Sequence, residues 1–259
     1  MGAAGELRLV VETEVCDPVL DMAIGHALMD RAAAGATPPT VRISRPGPAV
    51  AFGRRDVVTP GYAEAVAAAR AAGFEGVERV AGGRASVFHG GTVHVGHAVA
   101  DPDARAGIAE RFERTAALFA RAFGGLGIDA RVGAVDGEYC PGEHSVNARG
   151  AVKLMGLAQR VVSGGAYVGA VVVVSDAALV RDVLAPVYAA LGLDWRPEAT
   201  GALADEAPGL DPRAVAGALA DAYADELAAE PGALDAETRA LARRLVPEHR
   251  SPDGTSAVR

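Results

Sequence analysis

The stretch from Val152 to Val174 constrains the fold most. Residues 152–162 form one long β-prone segment, Ser163-Gly164-Gly165 makes a turn, and residues 167–174 form a second segment. The second ends in Val171-Val172-Val173-Val174, apolar at every position. A strand with one wet face alternates apolar and polar residues, whereas a continuous apolar run is expected of a strand buried on both faces. Such a strand lies inside a sheet that other elements cover. Along the first segment, strict alternation sets Lys153, Met155, Leu157 and Gln159 on one side and Leu154, Gly156, Ala158 and Arg160 on the other.

The covering elements are legible on either side. Asp17-Pro18 starts a helix, with Asp as cap and Pro in the first turn, and Leu20, Ile24 and Leu28 follow at helical spacing. Further helices are expected at 62–72, at 106–124 with Ile108, Phe112, Phe119 and Phe123 along one side, and at 176–191. Another starts at Asp211-Pro212, and residues 230–245 add a short one. Residues 192–210, rich in Gly, Pro and acid, read as a long connection. Strands are expected at 7–12, 40–44, 49–54, 77–80, 92–98 and 127–132. Pro46-Gly47-Pro48 separates 40–44 from 49–54, which together predict a hairpin or meander. Alternation over 92–98 puts His94 and His97 on opposite faces, so that with His89 they do not form a metal site. No internal repeat is present, and the fold class expected is α/β (α+β).

Composition limits the function classes. The 259 residues carry a net charge of −8, the wrong sign for a nucleic-acid binder. Two cysteines, Cys16 and Cys140, make no disulfide framework and fit a reducing compartment. The N-terminus lacks a signal-peptide pattern, and no apolar run approaches the ~18 residues of a membrane span. The expectation is a soluble cytoplasmic protein with no membrane partner.

Of 25 basic residues, 24 are arginine and one is Lys153. A guanidinium is a broad planar fork and an ammonium a compact point charge with three donors, so a site that must pin a single oxygen can require lysine. Lys153 lies in Lys153-Leu154-Met155-Gly156-Leu157-Ala158-Gln159-Arg160. Upstream is the loop Gly137-Glu138-Tyr139-Cys140-Pro141-Gly142-Glu143-His144. Earlier still, Arg79-Val80-Ala81-Gly82-Gly83-Arg84-Ala85-Ser86-Val87-Phe88-His89 contains paired glycines, which permit close backbone approach to a ligand.

Over residues 15–195 these motifs resemble the lipoate–protein ligase and octanoyltransferase family of the biotin/lipoate protein ligase superfamily. Residues 49–54 look like its early strand ending in Gly-Arg, residues 79–89 like its arginine- and glycine-rich turn ending in His, and residues 153–160 like its Lys-Ile-x-Gly-x-Ala-Gln hairpin. The resemblance implies a mixed β-sheet flanked by helices, with a catalytic domain over 1–200, a C-terminal helical extension over 201–249 and a disordered tail over 250–259. It implies Lys153 as the catalytic lysine at the acyl carbonyl. Arg79, Gly82, Gly83, Val87, His89, Gly156 and Ala158 would line the substrate pocket. Some octanoyltransferases of the superfamily carry a cysteine about a dozen residues before the lysine, and Cys140 lies 13 before Lys153. It is the candidate nucleophile, activated by His144 or Lys153.

The implied function is transfer of an octanoyl or lipoyl group to the acceptor lysine of a lipoyl domain or glycine-cleavage H-type protein. A transferase would take the group from acyl-carrier protein through a Cys140 thioester and need no cofactor. A ligase would use free lipoate or octanoate with ATP and Mg. Two departures favour the first: the family's three glycines read Gly82-Gly83-Arg84, and Gly90 follows His89 where ligases commonly have an acid. A Cys–His hydrolase and a non-catalytic acyl- or lipoyl-binding homologue are the other readings.

Overall fold

The computed structural model describes residues 6–252. In chain order the elements are β1 (Arg8–Cys16), α1 (Pro18–Ala33), β2 (Thr40–Pro46), β3 (Ala49–Phe52), α2 (Arg54–Val57), α3 (Tyr62–Ala71), β4 (Glu75–Glu78), β5 (Ser86–Phe88) and β6 (Thr92–Ala100). They continue with α4 (Ile108–Gly125), β7 (Ala130–Val132), β8 (Val146–Ala148), β9 (Val152–Val162), β10 (Gly165–Val173), α5 (Ala177–Ala190), α6 (Leu203–Glu206), α7 (Pro212–Leu227), β11 (Glu230–Pro231) and α8 (Ala236–His249). The carboxylate of Asp17 accepts the N–H groups of Val19 and Leu20 at the start of α1. Asp211 starts α7 in the same way.

The large sheet runs β11-β1-β2-β6-β10-β9-β8-β7 and the small one β4-β3-β5. In the large sheet β11, β1 and β2 are parallel and every later pair is antiparallel, so it is mixed and flanked by helices as expected. On one face Phe119 and Phe123 of α4 and Leu219 and Tyr223 of α7 pack on Val41, Val93 and Val172. On the other, Ala23, Ala27 and Leu28 of α1 and Ala242 of α8 pack on Val10, Ala98 and Tyr167. The apolar run through Val174 is buried, with β9 and β6 hydrogen-bonded on either side. A third core joins the small sheet to α3 and α5.

Four expectations need correction. Residues 40–44 and 49–54 form no hairpin. β2 is already paired on both edges, by β1 and β6, and its last residues lead into Pro46-Gly47-Pro48, where only Gly47 has an N–H, spent on the Cys16 carbonyl at 2.8 Å. The chain therefore leaves the large sheet, and β3 founds the small one. Strict alternation fails in β9 because Val146 pairs with Met155 while Asn147 pairs with Lys153, a bulge at Leu154. The bulge turns Lys153 to the side of Gly156, where an added Cβ would lie 3.1 Å from its Cε. The connection over 192–210 contains a 3-10 turn at Pro197–Ala199 and α6, and α8 extends past residue 245 to His249.

The start of the expected disordered tail is also ordered. Arg250 bridges to Val77, and the N–H of buried Ser251 donates to the Gly76 carbonyl at 3.1 Å. Residues 253–259 lie outside the described residues. The last two helices pack on opposite faces of the large sheet, α7 on one and α8 on the other.

A buried ionic cluster pins α1 to the sheet. Asp21 is fully buried and accepts from Arg42 (2.5 Å), Ser44 (2.7 Å) and the Nδ1 of His94 (2.6 Å). Burial pushes its carboxyl pKa up, but Arg42 and His94 outweigh that and hold it well below the usual carboxylate range. Asp21→Ala would leave Arg42 buried beside only Glu12, and truncating one member of a buried pair costs about 3–5 kcal/mol. Urea unfolding should show a loss of that size, and a change under about 1 kcal/mol would mean that the cluster is not holding the helix.

Candidate active site

Lys153 is buried to 1% exposure, and its ammonium spends its three hydrogens on three oxygens. Nζ donates to the Cys140 carbonyl (2.8 Å), the Tyr139 carbonyl (3.0 Å) and Glu138 Oε1 (3.1 Å). It also sits 4.8 Å from the centre of the Tyr139 ring. Glu138 gathers the rest of the loop: Oε1 accepts from Ser145 Oγ (2.6 Å) and the Gly142 N–H (2.9 Å), and Oε2 from the Val135 N–H (3.0 Å). Three acceptors converging on one point suit an ammonium and not a guanidinium. The lysine thus shapes the cysteine loop as well as charging it.

Cys140 is held in the left-handed region, at φ +43°, a conformation that persists only where surrounding contacts enforce it. Those contacts come from three directions. Lys153 holds its carbonyl, and its N–H donates to the Tyr188 hydroxyl of α5 (2.8 Å), which in turn donates to the Ala85 carbonyl (3.0 Å). Its sulfur accepts the Arg84 N–H (3.1 Å) and lies 3.7 Å from an Arg79 Nη. Arg79 is itself fixed by the Ser86 hydroxyl (2.9 Å) and the Arg84 carbonyl (2.5 Å). Gly83 leaves the room for this: at φ +95°, its Cβ would fall 2.5 Å from that guanidinium and 2.8 Å from the sulfur.

These groups set the thiol chemistry. Burial pushes the Cys140 pKa up, but the charges of Arg79 and Lys153 and the Arg84 N–H outweigh it, so the thiol ionises below its ordinary value. Cys16 is the contrast, since burial and neighbouring Asp21 push its pKa up to about 12. The environment that generates a nucleophilic thiolate surrounds Cys140 alone.

Beside the sulfur is a cavity of about 40 Å³, lined by Arg79, Cys140, Lys153, Gly156 and Ala158 and by apolar Met22, Phe88, Leu157 and Val171. That is room for no more than a few waters, so a medium-length acyl chain must displace side chains to enter. Met22, unbranched, is suited to move. His94 and Tyr167 also line it, the hydroxyl 3.5 Å from His94 Nε2.

Arg79, Cys140, Lys153, Gly156 and Ala158 thus share one cavity, and Gly83 adjoins it. Gly82 lies at the turn, its N–H 3.5 Å from the Gln159 carbonyl. Val87 points away, into the core of the small sheet and its helices, because Ser86 and Phe88 take the cavity side of β5. His89 is outside the lining: it is buried, and its Nδ1 accepts the Gly91 N–H at 3.0 Å. His144 stacks on Phe112 of α4 at 5.2 Å and is not among the charges acting on the thiol, so Arg79 and Lys153 replace the histidine that the sequence suggested. Glu138 stood in the loop that the sequence singled out but without a role, and Tyr188 was missed. A Glu two residues before the cysteine and a Tyr on the buried side of α5 were the only signals.

The sequence from residue 17 to 193 matches the model of the lipoyl protein ligase A/B catalytic domain. The chain belongs to this family. It is an enzyme of the lipoate ligase and acyltransferase class. The fold is similar to a putative lipoate protein ligase of T. acidophilum with bound lipoic acid, at 20% identity over 94% of this chain and 95% of that one, with a TM-score of 0.74. It is similar to a lipoate-protein ligase A bound with ATP, at 18% identity over 94% and 95% of the two chains and a TM-score of 0.72. A third likeness is the bipartite lipoate protein ligase of Thermoplasma acidophilum, solved in a study with its E2 lipoyl domain, at 19% identity, 93% of each chain and a TM-score of 0.71. No curated protein matches the chain. Among the described residues no helix is long and apolar enough to cross a membrane.

Iodoacetamide labelling followed by intact mass across pH tests the site. Cys140 should label with a midpoint below the ~8.5 of a free thiol, Cys16 should stay silent, and Arg79→Gln should raise the Cys140 midpoint. A wild-type midpoint at or above 8.5 would contradict the electrostatics described here.

Proposed function

We propose that the enzyme moves an octanoyl or lipoyl group from a thioester donor to the acceptor lysine of a lipoyl-domain or glycine-cleavage H-type protein, through a thioester on Cys140. The observation that carries this reading is the Cys140 sulfur, lining the cavity with the Arg84 N–H at 3.1 Å and Arg79 at 3.7 Å, its thiol pKa lowered by Arg79 and Lys153. The proton of the thiol goes to solvent, and the thiolate attacks the acyl carbonyl of octanoyl-acyl-carrier protein. The sulfur–carbon bond to Cys140 forms, and the carrier thiolate departs and takes up a proton. The neutral amine of the acceptor lysine then attacks the Cys140 thioester. An amide forms, the Cys140 thiolate leaves, and the amine sheds its extra proton to water. In both steps negative charge grows on the acyl oxygen in a site with little water, where the nearby Arg79 and Lys153 charges act on it through space while the Lys153 hydrogens stay on the cysteine loop.

Two features support transfer over ATP-dependent ligation. The third position of the glycine turn is Arg84, and its N–H is committed to the Cys140 sulfur at 3.1 Å rather than left for a phosphate. The second is a cavity-lining cysteine whose thiol pKa is lowered by its neighbours, for which adenylate formation from free acid, ATP and Mg has no use. A Cys–His hydrolase reading has lost its histidine to the stack on Phe112.

Intact-mass measurements separate the routes. Incubation with octanoyl-acyl-carrier protein should add one hydroxylamine-labile octanoyl group, absent in Cys140→Ala. Modification of a lipoyl domain that needs octanoate and ATP and survives Cys140→Ala would overturn the transferase reading in favour of the ligase. Lys153→Arg should keep the fold, by circular dichroism, yet lower acyl loading by about 10²-fold, the scale of an ångström-level misplacement. Full activity in that variant would remove the lysine from the mechanism.

A further inference from the structure

Against a net charge of −8, one surface beside the nucleophile is positive. The single turn α2 presents Arg54 and Arg55 to solvent, and neither side chain has an ion pair among the described residues. Elsewhere Arg121 is matched by Glu226, Arg196 by Asp136 and Arg213 by Glu14. Arg105, Arg160, Arg243 and Arg244 are exposed and, among the described residues, also without an ion pair, but none of these four contacts the turn that holds Cys140 in any hydrogen bond. The acid within the turn, Asp56, is buried and already spent, on the Gly53 N–H (3.0 Å) and on Arg84 (3.1 Å). Next in sequence is Val58, at 70% exposure the most exposed large apolar side chain among the described residues. Two free cations and a bare apolar residue within five positions make a surface that gains by being covered.

This surface is tied to the chemistry through one residue. Arg84 donates from its backbone N–H to the Cys140 sulfur, and its guanidinium reaches the Arg55 carbonyl at 3.2 Å. Whatever rests on α2 therefore lies one arginine away from the thiolate. Two macromolecules must visit Cys140 in the proposed reaction. The acceptor offers a lysine amine, a group of the same sign as the arginines when protonated. The donor offers a thioester on an arm that carries a phosphodiester, of opposite sign, and free arginines match phosphate and carboxylate geometry.

We propose that the Arg54–Arg55–Val58 surface is the docking site of the acyl donor, an acidic carrier protein whose phosphate-bearing arm reaches Cys140. The inference rests on the transferase reading above and assigns a partner to its first half-reaction. Arg54 and Arg55 draw in the acidic carrier, as complementary charge at an interface rim does for association rate and specificity, and Val58 seats against an apolar residue of the carrier. None of the three side chains lines the cavity, so they act on the carrier and leave the acyl chain to the cavity.

The test separates docking from chemistry. Binding of octanoyl-acyl-carrier protein to the Cys140→Ala protein, measured calorimetrically, should weaken at least about tenfold with Arg54→Glu plus Arg55→Glu, and also weaken with rising salt. In the protein with its cysteine intact, the same double variant should raise KM for the carrier donor with kcat little changed. Loading from octanoyl-N-acetylcysteamine, which has neither protein nor phosphate, should be unaffected. Val58→Ser should act in the same direction as the arginine changes. Equal losses with the small thioester would mean that α2 supports the fold, and would overturn the docking assignment. Undiminished carrier binding in the double variant would overturn it as well, as would arginine changes that weaken ATP binding and leave the carrier alone. Carrier binding that depends on Arg54 and Arg55 without any acylation of Cys140 would uphold the surface while rejecting the thioester route.

Discussion

The Lys153 ammonium and the Glu138 carboxylate lie 3.1 Å apart with almost no contact with water. Taking two charges out of water is costly unless every remaining donor and lone pair finds a partner. Here the partners are the loop's own backbone: the carbonyls of Tyr139 and Cys140 on the lysine, and the N–H groups of Val135 and Gly142 on the glutamate. Solvating the pair and folding the loop are therefore one event. The left-handed backbone at Cys140 and the direction of its sulfur follow from it, and the charge that lowers the thiol pKa comes first from Arg79, with Lys153 after it.

The rest of the molecule delivers parts to that pair. The bulge in β9 turns Lys153 to the side of Gly156 and Ala158. The small sheet brings Arg79 and Gly83 to the sulfur, and Tyr188 of α5 ties the cysteine loop to that turn. The Asp21–Arg42–His94 cluster fixes α1 on the large sheet, which sets Met22 and His94 along the cavity. The sheet on which the lysine rides also carries α4 and α7 on its far face, so the chemistry occupies one side of a structure supported from the other.

Much of this was legible in the sequence. The helix starts at Asp17 and Asp211 are local chemistry, a carboxylate meeting free N–H groups, and need no knowledge of the fold. The hairpin of β9 and β10 and the apolar run in its second strand follow from turn residues and side-chain pattern. The lone lysine marked a position where geometry rejects arginine, and the spacing from Cys140 to Lys153 marked the loop. The readings that failed depended on neighbours distant in sequence. β3 leaves β2 because β1 and β6 already occupy its edges; Val87 faces a helix because Ser86 and Phe88 take the cavity side; His144 rests on a phenylalanine of α4.

The sequence by itself therefore determined most local elements, the family, and the two residues Lys153 and Cys140 as the ones to follow, because caps, turns, periodicity and rare residue types act over a few positions. Only the tertiary structure decided what Lys153 does with its hydrogens and which charges lower the Cys140 pKa. Those depend on distances between segments far apart in the chain, Arg79 and Cys140 above all, and a bulge of one residue is enough to turn a side chain from one face of a sheet to the other. The lysine that stood out in the sequence is the charge that holds the Cys140 loop in place.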